Sequence, residues 1–154
     1  RLQAKYQVEL TDLLNVRSFL DHNRIFQAPL ASAIESSSTS TGAFAFRGEW
    51  IPNTVIEANL TEHFKKWAPF VAQFGLLVIE LHSLAPNLAA ATLGKTAITA
   101  YDATHGFSDQ YIVEHAVYLK CAESAGLHAH PDFHFRYPPA DHATVSISFL
   151  QSKT

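Results

Sequence analysis

The sequence has no methionine and a single cysteine, Cys121, in 154 residues. A lone thiol excludes an internal disulfide framework and fits a reducing, cytoplasmic setting. Glycine is scarce, with six residues, and no G-x-G turn joins a strand to a helix, so the chain carries no dinucleotide-type phosphate loop. Long apolar runs are missing too: none approaches the roughly 18 residues of a membrane span. The start, RLQAKYQVEL, has neither the order nor the cleavage site of a signal peptide. Charge of one sign is also lacking. Eleven Lys and Arg stand against 14 Asp and Glu, for a formal net charge of −3, and the cations are scattered. That leaves no electrostatic footprint for nucleic acid. What is abundant is histidine, at nine residues, within a composition that is 47% hydrophobic and able to build one core. A chain opening mid-pattern on Arg1 is expected to be part of a larger domain.

The order of elements follows from hydrophobic period. LLNVRSFL (13–20) reads as a buried strand that ends in the polar DHNR. SSSTST (36–41) reads as loop, and FAFRGEW (44–50) as a short hairpin turning at Gly48. From Thr54 the period becomes helical, with Ile56, Leu60, Phe64, Trp67, Val71 and Phe74 on one face. Asn53 is the expected N-cap, Pro69 should kink the helix or split off its last turn, and Gly75 should stop it. LLVIELH (76–82) has the unbroken apolar character of a strand covered on both faces in a parallel sheet. A second helix is expected from a Ser108 cap through Ile112, Ala116 and Leu119 to Gly126. FHFRY (133–137) and TVSISFL (144–150) alternate around PPAD (138–141), which predicts an antiparallel hairpin. Strand, helix, strand, helix, hairpin is the second half of a doubly wound α/β domain, with the first half absent.

Ending such a sheet in an antiparallel hairpin resembles the class I S-adenosylmethionine-dependent methyltransferases. VRSFLDHNR (16–24), NLTEHFKKW (59–67), GLLVIELHS (75–83) and AYDATHGFSDQYIVEH (100–115) narrow the resemblance. Together they are similar to the methyltransferases of apratoxin-type polyketide synthase loading modules, over the carboxy-terminal half of that domain. The resemblance implies a Rossmann-like fold, S-adenosylmethionine as methyl donor, and methyl transfer to the carbon of an acyl unit on a carrier protein. It also implies one iron held by two histidines and a glutamine. His105 and Gln110 match that pattern best, and motif alone leaves the third ligand open.

In open α/β sheets, ligands bind outside the carboxyl ends of the parallel strands. Strand 13–20 would deliver Asp21 and His22 to that edge, strand 76–82 would deliver His82, and the helix start would deliver His105 and Gln110. The PPAD turn falls there as well, which sets His142 near His82. The expected metal ligands are therefore His105, Gln110 and His142, with His82 as substitute for the third; the ion would be iron or manganese. His82 is the candidate general base and Asp21 a second catalytic candidate, while Asp21 and His22 are candidates for contacting the donor. Each also has a plainer role, as loop former, cap or satisfied core residue. His63, His115, His128, His130 and His134 are expected on helix or strand surfaces, and Glu80 either pairs with Arg17 or faces the donor.

Three functions compete. The first is a methyltransferase, or its substrate-and-metal half, acting on an acyl or other carbonyl substrate, small or carrier-bound. Its partner would be the missing amino-terminal half, with neither nucleic acid nor membrane involved. The second is a metal-dependent hydrolase, which the lack of an H-E-x-x-H spacing disfavours. The third is a non-catalytic methyltransferase-like docking module.

Overall fold

The computed structural model describes residues 2–31, 35–41, 44–96 and 109–152. Its elements are α1 (Leu2–Tyr6), a 3-10 turn (Leu10–Asp12), β1 (Asn15–Ser18), β2 (Phe44–Phe46), β3 (Glu49–Ile51), α2 (Asn53–Val71), β4 (Leu76–Leu81), α3 (Pro86–Ala91), α4 (His115–Ser124), β5 (Leu127–Tyr137) and β6 (Val145–Ser152). The chain is mixed α/β. Its main sheet has four strands in the order β1-β4-β6-β5.

The expected pairing of the central strand is observed. β4 runs parallel to β1, with Asn15 opposite Leu76 and Ser18 opposite Ile79. On its other side β6 is antiparallel, with Leu76 opposite Leu150 and Leu81 opposite Val145. β5 is antiparallel to β6 in turn, across a register shift between Ala129 and His134.

The two faces of this sheet differ. Leu76, Val78, Leu127 and Leu150 point to one side, where Ile56, Leu60, Phe64 and Val71 of α2 and Val117, Tyr118 and Cys121 of α4 close the core over them. On the other side Leu77, Ile79, Leu81, Val145, Ile147 and Phe149 are only half-buried. Val16, Phe133, Phe135 and Tyr137 of the same side stay 48–56% exposed, and no helix layer is packed there among the described residues. β1 is thus not the buried strand its composition suggests. It is a four-residue edge with an alternating half-buried and exposed pattern.

Other expectations are corrected at the element ends. Pro52 occupies the N-cap of α2, and Asn53 lies inside the helix, donating its Nδ2 to the Ser40 carbonyl at 2.9 Å. Pro69 stays within α2, two residues from its end, where the lost amide opens only one carbonyl near exposed Lys65. Gly75 does end that region: its φ is +78°, and a Cβ there would sit 2.5 Å from the Phe149 ring. The 44–51 hairpin forms as expected, with Arg47 and Gly48 both at positive φ, the requirement of a type I′ turn.

The largest correction concerns α4. It begins at His115, not at Ser108, which lies outside the described residues. Tyr111, Ile112 and Val113 are buried in extended chain instead. The reason is a set of competing backbone partners: Tyr111 N–H donates to the His22 carbonyl at 2.8 Å, and Ser83 N–H to the Val113 carbonyl at 3.2 Å. This segment is stitched along the rim of the sheet before the helix starts. No described helix is long and apolar enough to cross a membrane.

Candidate active site

The loop after β1 turns inward across the carboxyl end of β4. Phe19, at φ +55°, anchors the turn by donating its N–H to the Ile79 carbonyl at 2.8 Å. Asp21 and His22 are thereby buried, at 1% and 4% exposure. The Asp21 carboxylate accepts from Arg17 Nε at 2.6 Å and His63 Nε2 at 3.0 Å on one oxygen, and from the Tyr118 hydroxyl at 2.6 Å on the other. Burial alone would raise its pKa; the His63 bond, the Arg17 charge and the Tyr118 bond outweigh burial and hold it at about 2. The Tyr118 phenol is pushed well above its ordinary value, by burial and then by the Asp21 charge.

Glu80 projects from β4 beside this group. One of its oxygens accepts the backbone N–H of Asp21 at 2.7 Å and of His22 at 3.3 Å. The other lies 2.5 Å from His22 Nδ1 and accepts Leu81 N–H at 2.7 Å. Of the two roles open for Glu80, the Arg17 pairing is not the one adopted: Arg17 goes to Asp21 and lies over the Trp67 ring at 4.5 Å. Asn23 fixes the tautomer of His22. Its amide nitrogen, a donor only, sits 2.8 Å from His22 Nε2, which must then accept, leaving Nδ1–H to donate to Glu80. Buried Arg24 clamps the loop to α2, donating to Asn59 Oδ1 at 2.6 Å and to the Asp21 carbonyl at 2.8 Å. Burial lowers its pKa to about 10, against the raising effect of Asp21.

His82 follows β4 and is 1% exposed. Its Nε2 is 2.8 Å from Ser146 Oγ, and its buried Nδ1 makes no hydrogen bond of ordinary geometry. The His115 ring, on the first turn of α4, meets it edge-on with centres 5.0 Å apart, and its Nε2 is buried and unpartnered. His134 stacks behind His115 at 4.9 Å and lies 2.9 Å from Ser148 Oγ. Burial first, then the His115 imidazole, outweigh a raising interaction with the Val113 backbone and hold His82 at about 3; burial, His134 and Arg136 hold His115 at about 4.

The expected site residues are thus partly brought together. Asp21 and His22 converge with Glu80 on the carboxyl edge of the parallel strands, and His82 stands just past the end of β4, two residues beyond Glu80. His142 is half-buried in the turn before Thr144, whose carbonyl accepts from His82 N–H at 2.7 Å. Gln110 is half-buried in the extended segment beside His22, not in a helix turn. His105 lies outside the described residues.

His63, His115 and His134, expected on helix or strand surfaces, are half-buried and touch the buried groups. The signal for two of them was available in sequence: His63 lies three residues after core residue Leu60 and His115 three residues before Tyr118, each on the same helix face as its neighbour. As for an ion, no group of three or more His, Cys, Asp or Glu is arranged to hold one among the described residues. The donor that fits best chemically is His82, whose buried Nδ1 makes no hydrogen bond of ordinary geometry.

A comparison with curated proteins finds no match. A scan against protein families does: the AprA MT2-like domain matches residues 1–148, nearly the whole chain. The buried Asp21–His22–Glu80 edge therefore sits in a chain that belongs to the AprA MT2-like family of methyltransferase domains.

Proposed function

We propose that this chain forms the substrate side of an S-adenosylmethionine-dependent methyltransferase acting on a carbon beside a carbonyl, in a small or carrier-bound acyl substrate. Its sheet would be the carboxy-terminal half of a doubly wound, Rossmann-like methyltransferase sheet, a reading supported by the strand order and by the edge position of β1 among the described strands. The donor would lie mainly against the amino-terminal half, with Asp21 and His22 at its border.

The observation that carries the reading is the buried His22–Glu80 pair at the carboxyl edge. A base removing a proton from carbon needs a free lone pair and a partner for the charge it gains. Glu80 holds Nδ1–H, which orients the ring and stabilises the imidazolium once formed, and Nε2 becomes free to take a proton when the Asn23 amide that donates to it at 2.8 Å turns away. His82 is less suited to that task, because burial holds it at about 3 and no carboxylate faces it. Asp21, held at about 2, is a poor base and acts instead by fixing the loop that carries His22.

S-adenosylmethionine supplies an electrophilic methyl on a sulfonium. A divalent iron or manganese, if His105, Gln110 and His142 or His82 hold one, supplies Lewis acidity toward the carbonyl oxygen. The substrate's α-carbon loses its proton to His22 Nε2, and the resulting carbanion takes the methyl group, leaving the neutral thioether. His22 then returns its proton to solvent.

The test uses the intact protein that carries this chain, with methyl-labelled S-adenosylmethionine and an acyl-pantetheine thioester. Labelled methyl should appear on the acyl carbon. His22→Ala should cut that rate by about 10²-fold or more. Full activity in the variant, or no transfer by the parent, overturns the assignment.

A further inference from the structure

We propose that Asn23 serves the His22 base twice. Its side-chain amide caps Nε2 while the site is empty, then swings to the carbonyl oxygen of the bound acyl substrate and donates to it as that oxygen gains charge. The inference rests on the reading of His22 as the base and adds the residue that switches the base on.

His22 is fixed in place. Its backbone N–H and its Nδ1–H go to Glu80, at 3.3 and 2.5 Å, and its carbonyl accepts from Tyr111 N–H at 2.8 Å. Asn23 is exposed, while its neighbours His22 and Arg24 are both buried and hold its backbone. Its side chain is tied by a single hydrogen bond among the described residues, the one to His22 Nε2 at 2.8 Å. Exposed side chains change rotamer within nanoseconds, so that amide is the part of the site able to move. It also has to move. Nδ2 only donates, and a protonated Nε2 only donates, so cap and proton exclude each other.

The substrate supplies the place for the amide to go. A carbon acid aimed at the base puts its α-carbon roughly 3 Å from Nε2. Its carbonyl oxygen lies about 2.4 Å from that carbon, one bond beyond the carbonyl carbon. An amide nitrogen displaced from 2.8 Å therefore meets the oxygen by side-chain rotation, with its backbone in place. The chemistry favours the exchange. As the C–H bond breaks, the proton goes to Nε2 and the electron pair shifts onto the oxygen, which becomes a much stronger acceptor. Glu80 meets the positive charge that appears on the ring, and Asn23 meets the negative charge that appears on the substrate. A carbonyl oxygen has two lone pairs, so the amide leaves the second one open. A compound without that oxygen offers the amide nothing in exchange for Nε2, and the base stays capped. The pair therefore selects substrates that carry a carbonyl beside the reacting carbon.

The intact protein that carries this chain is labelled with ¹⁵N-histidine and ¹⁵N-asparagine. Without substrate, Asn23→Ala should move the His22 Nε2 resonance, which marks the amide as its partner. Propionyl-pantetheine added to the unmutated protein should move Nε2 and the Asn23 amide together. The matching thioether, which lacks the carbonyl, should move neither at a concentration that competes with the thioester. In methyl transfer to propionyl-pantetheine, Asn23→Ala should lower kcat by about 10–10²-fold, under the loss for a fixed donor because uncapping the base offsets part of it. KM should not change, the mark of a contact made only in the transition state. An Nε2 resonance indifferent to Asn23→Ala overturns the cap, and a kcat in that variant equal to or above the parent's overturns the donation to oxygen; either result sinks the proposal. Full activity in His22→Ala removes the base reading and this proposal with it. An inactive His22→Ala beside a fully active Asn23→Ala removes this proposal alone. The spectra of the unmutated protein decide even if a variant fails to fold.

Discussion

Two polar groups meet on either side of Tyr118 of α4, and they solve the burial problem in opposite ways. Around Asp21 and Glu80 every charge has a partner: Arg17, His63, the Tyr118 hydroxyl, the His22 ring and three backbone N–H groups. Around His82, His115 and His134 there is no carboxylate contact among the described residues, and neutrality takes the place of pairing. Asp21 must stay ionised for the first group to be stable, and His82 and His115 un-ionised for the second. Tyr118 joins them, with its hydroxyl on Asp21 and its ring against His82.

Breaking the first group should cost most. Asp21→Ala strips the acceptor from Arg17, His63 and Tyr118 together, and removing one partner of a buried ionic cluster costs about 3–5 kcal/mol. Urea unfolding should show a lower midpoint at unchanged slope. Tyr118→Phe keeps the ring against His82 and removes only the hydroxyl. It should cost about 1.5–3 kcal/mol, the usual range for a hydrogen bond to a charged group, by the same measurement.

The smallest effect separates the two groups by pH. For His82 and His115 the folded pKa values of about 3 and 4 lie below the ordinary 6.5, so the unfolded chain takes up protons first. Their contribution is complete above about pH 6.5 and is lost as pH falls toward the folded values. Asp21, folded at about 2 against an ordinary 3.8, contributes above 3.8 and loses its contribution only as pH falls toward 2. Between pH 6.5 and 4 the histidines therefore respond and Asp21 does not. His115→Phe should shrink the fall in Tm between pH 7 and pH 5 by about 2–4 °C, equivalent to about 1 kcal/mol after discounting for partial exposure. An unchanged profile in scanning calorimetry would show that His115 is not one of the groups responsible.

Much of the architecture was legible in the sequence because periodicity reports burial. The 3.6-residue stripe of α2 and the continuous apolar run of β4 both name the face or strand that they form. The start of α4 was not legible, since Tyr111, Ile112 and Val113 suit a helix or an extended rim equally, and only their bonds to His22 and Ser83 decide. The exposure of β1 was misread for a related reason: Leu14, Val16, Phe19 and Leu20 give composition, and composition does not say which neighbours exist. At the site, the topological rule put Asp21, His22 and His82 past the carboxyl ends of β1 and β4, where they lie. It could not foresee that Glu80 would take His22 and leave Arg17 to Asp21, because that choice depends on distances across three elements.

The open side of the sheet carries a thermal consequence. Unfolding raises heat capacity largely by wetting apolar surface that the native state keeps dry. Here Val16, Phe133, Phe135 and Tyr137 are already about half in contact with water while folded. Less new apolar surface is wetted on unfolding, so the heat-capacity increment per residue should fall below the customary value of about 12–15 cal/mol/K. A smaller increment flattens the curve of stability against temperature, making this chain comparatively insensitive to cooling.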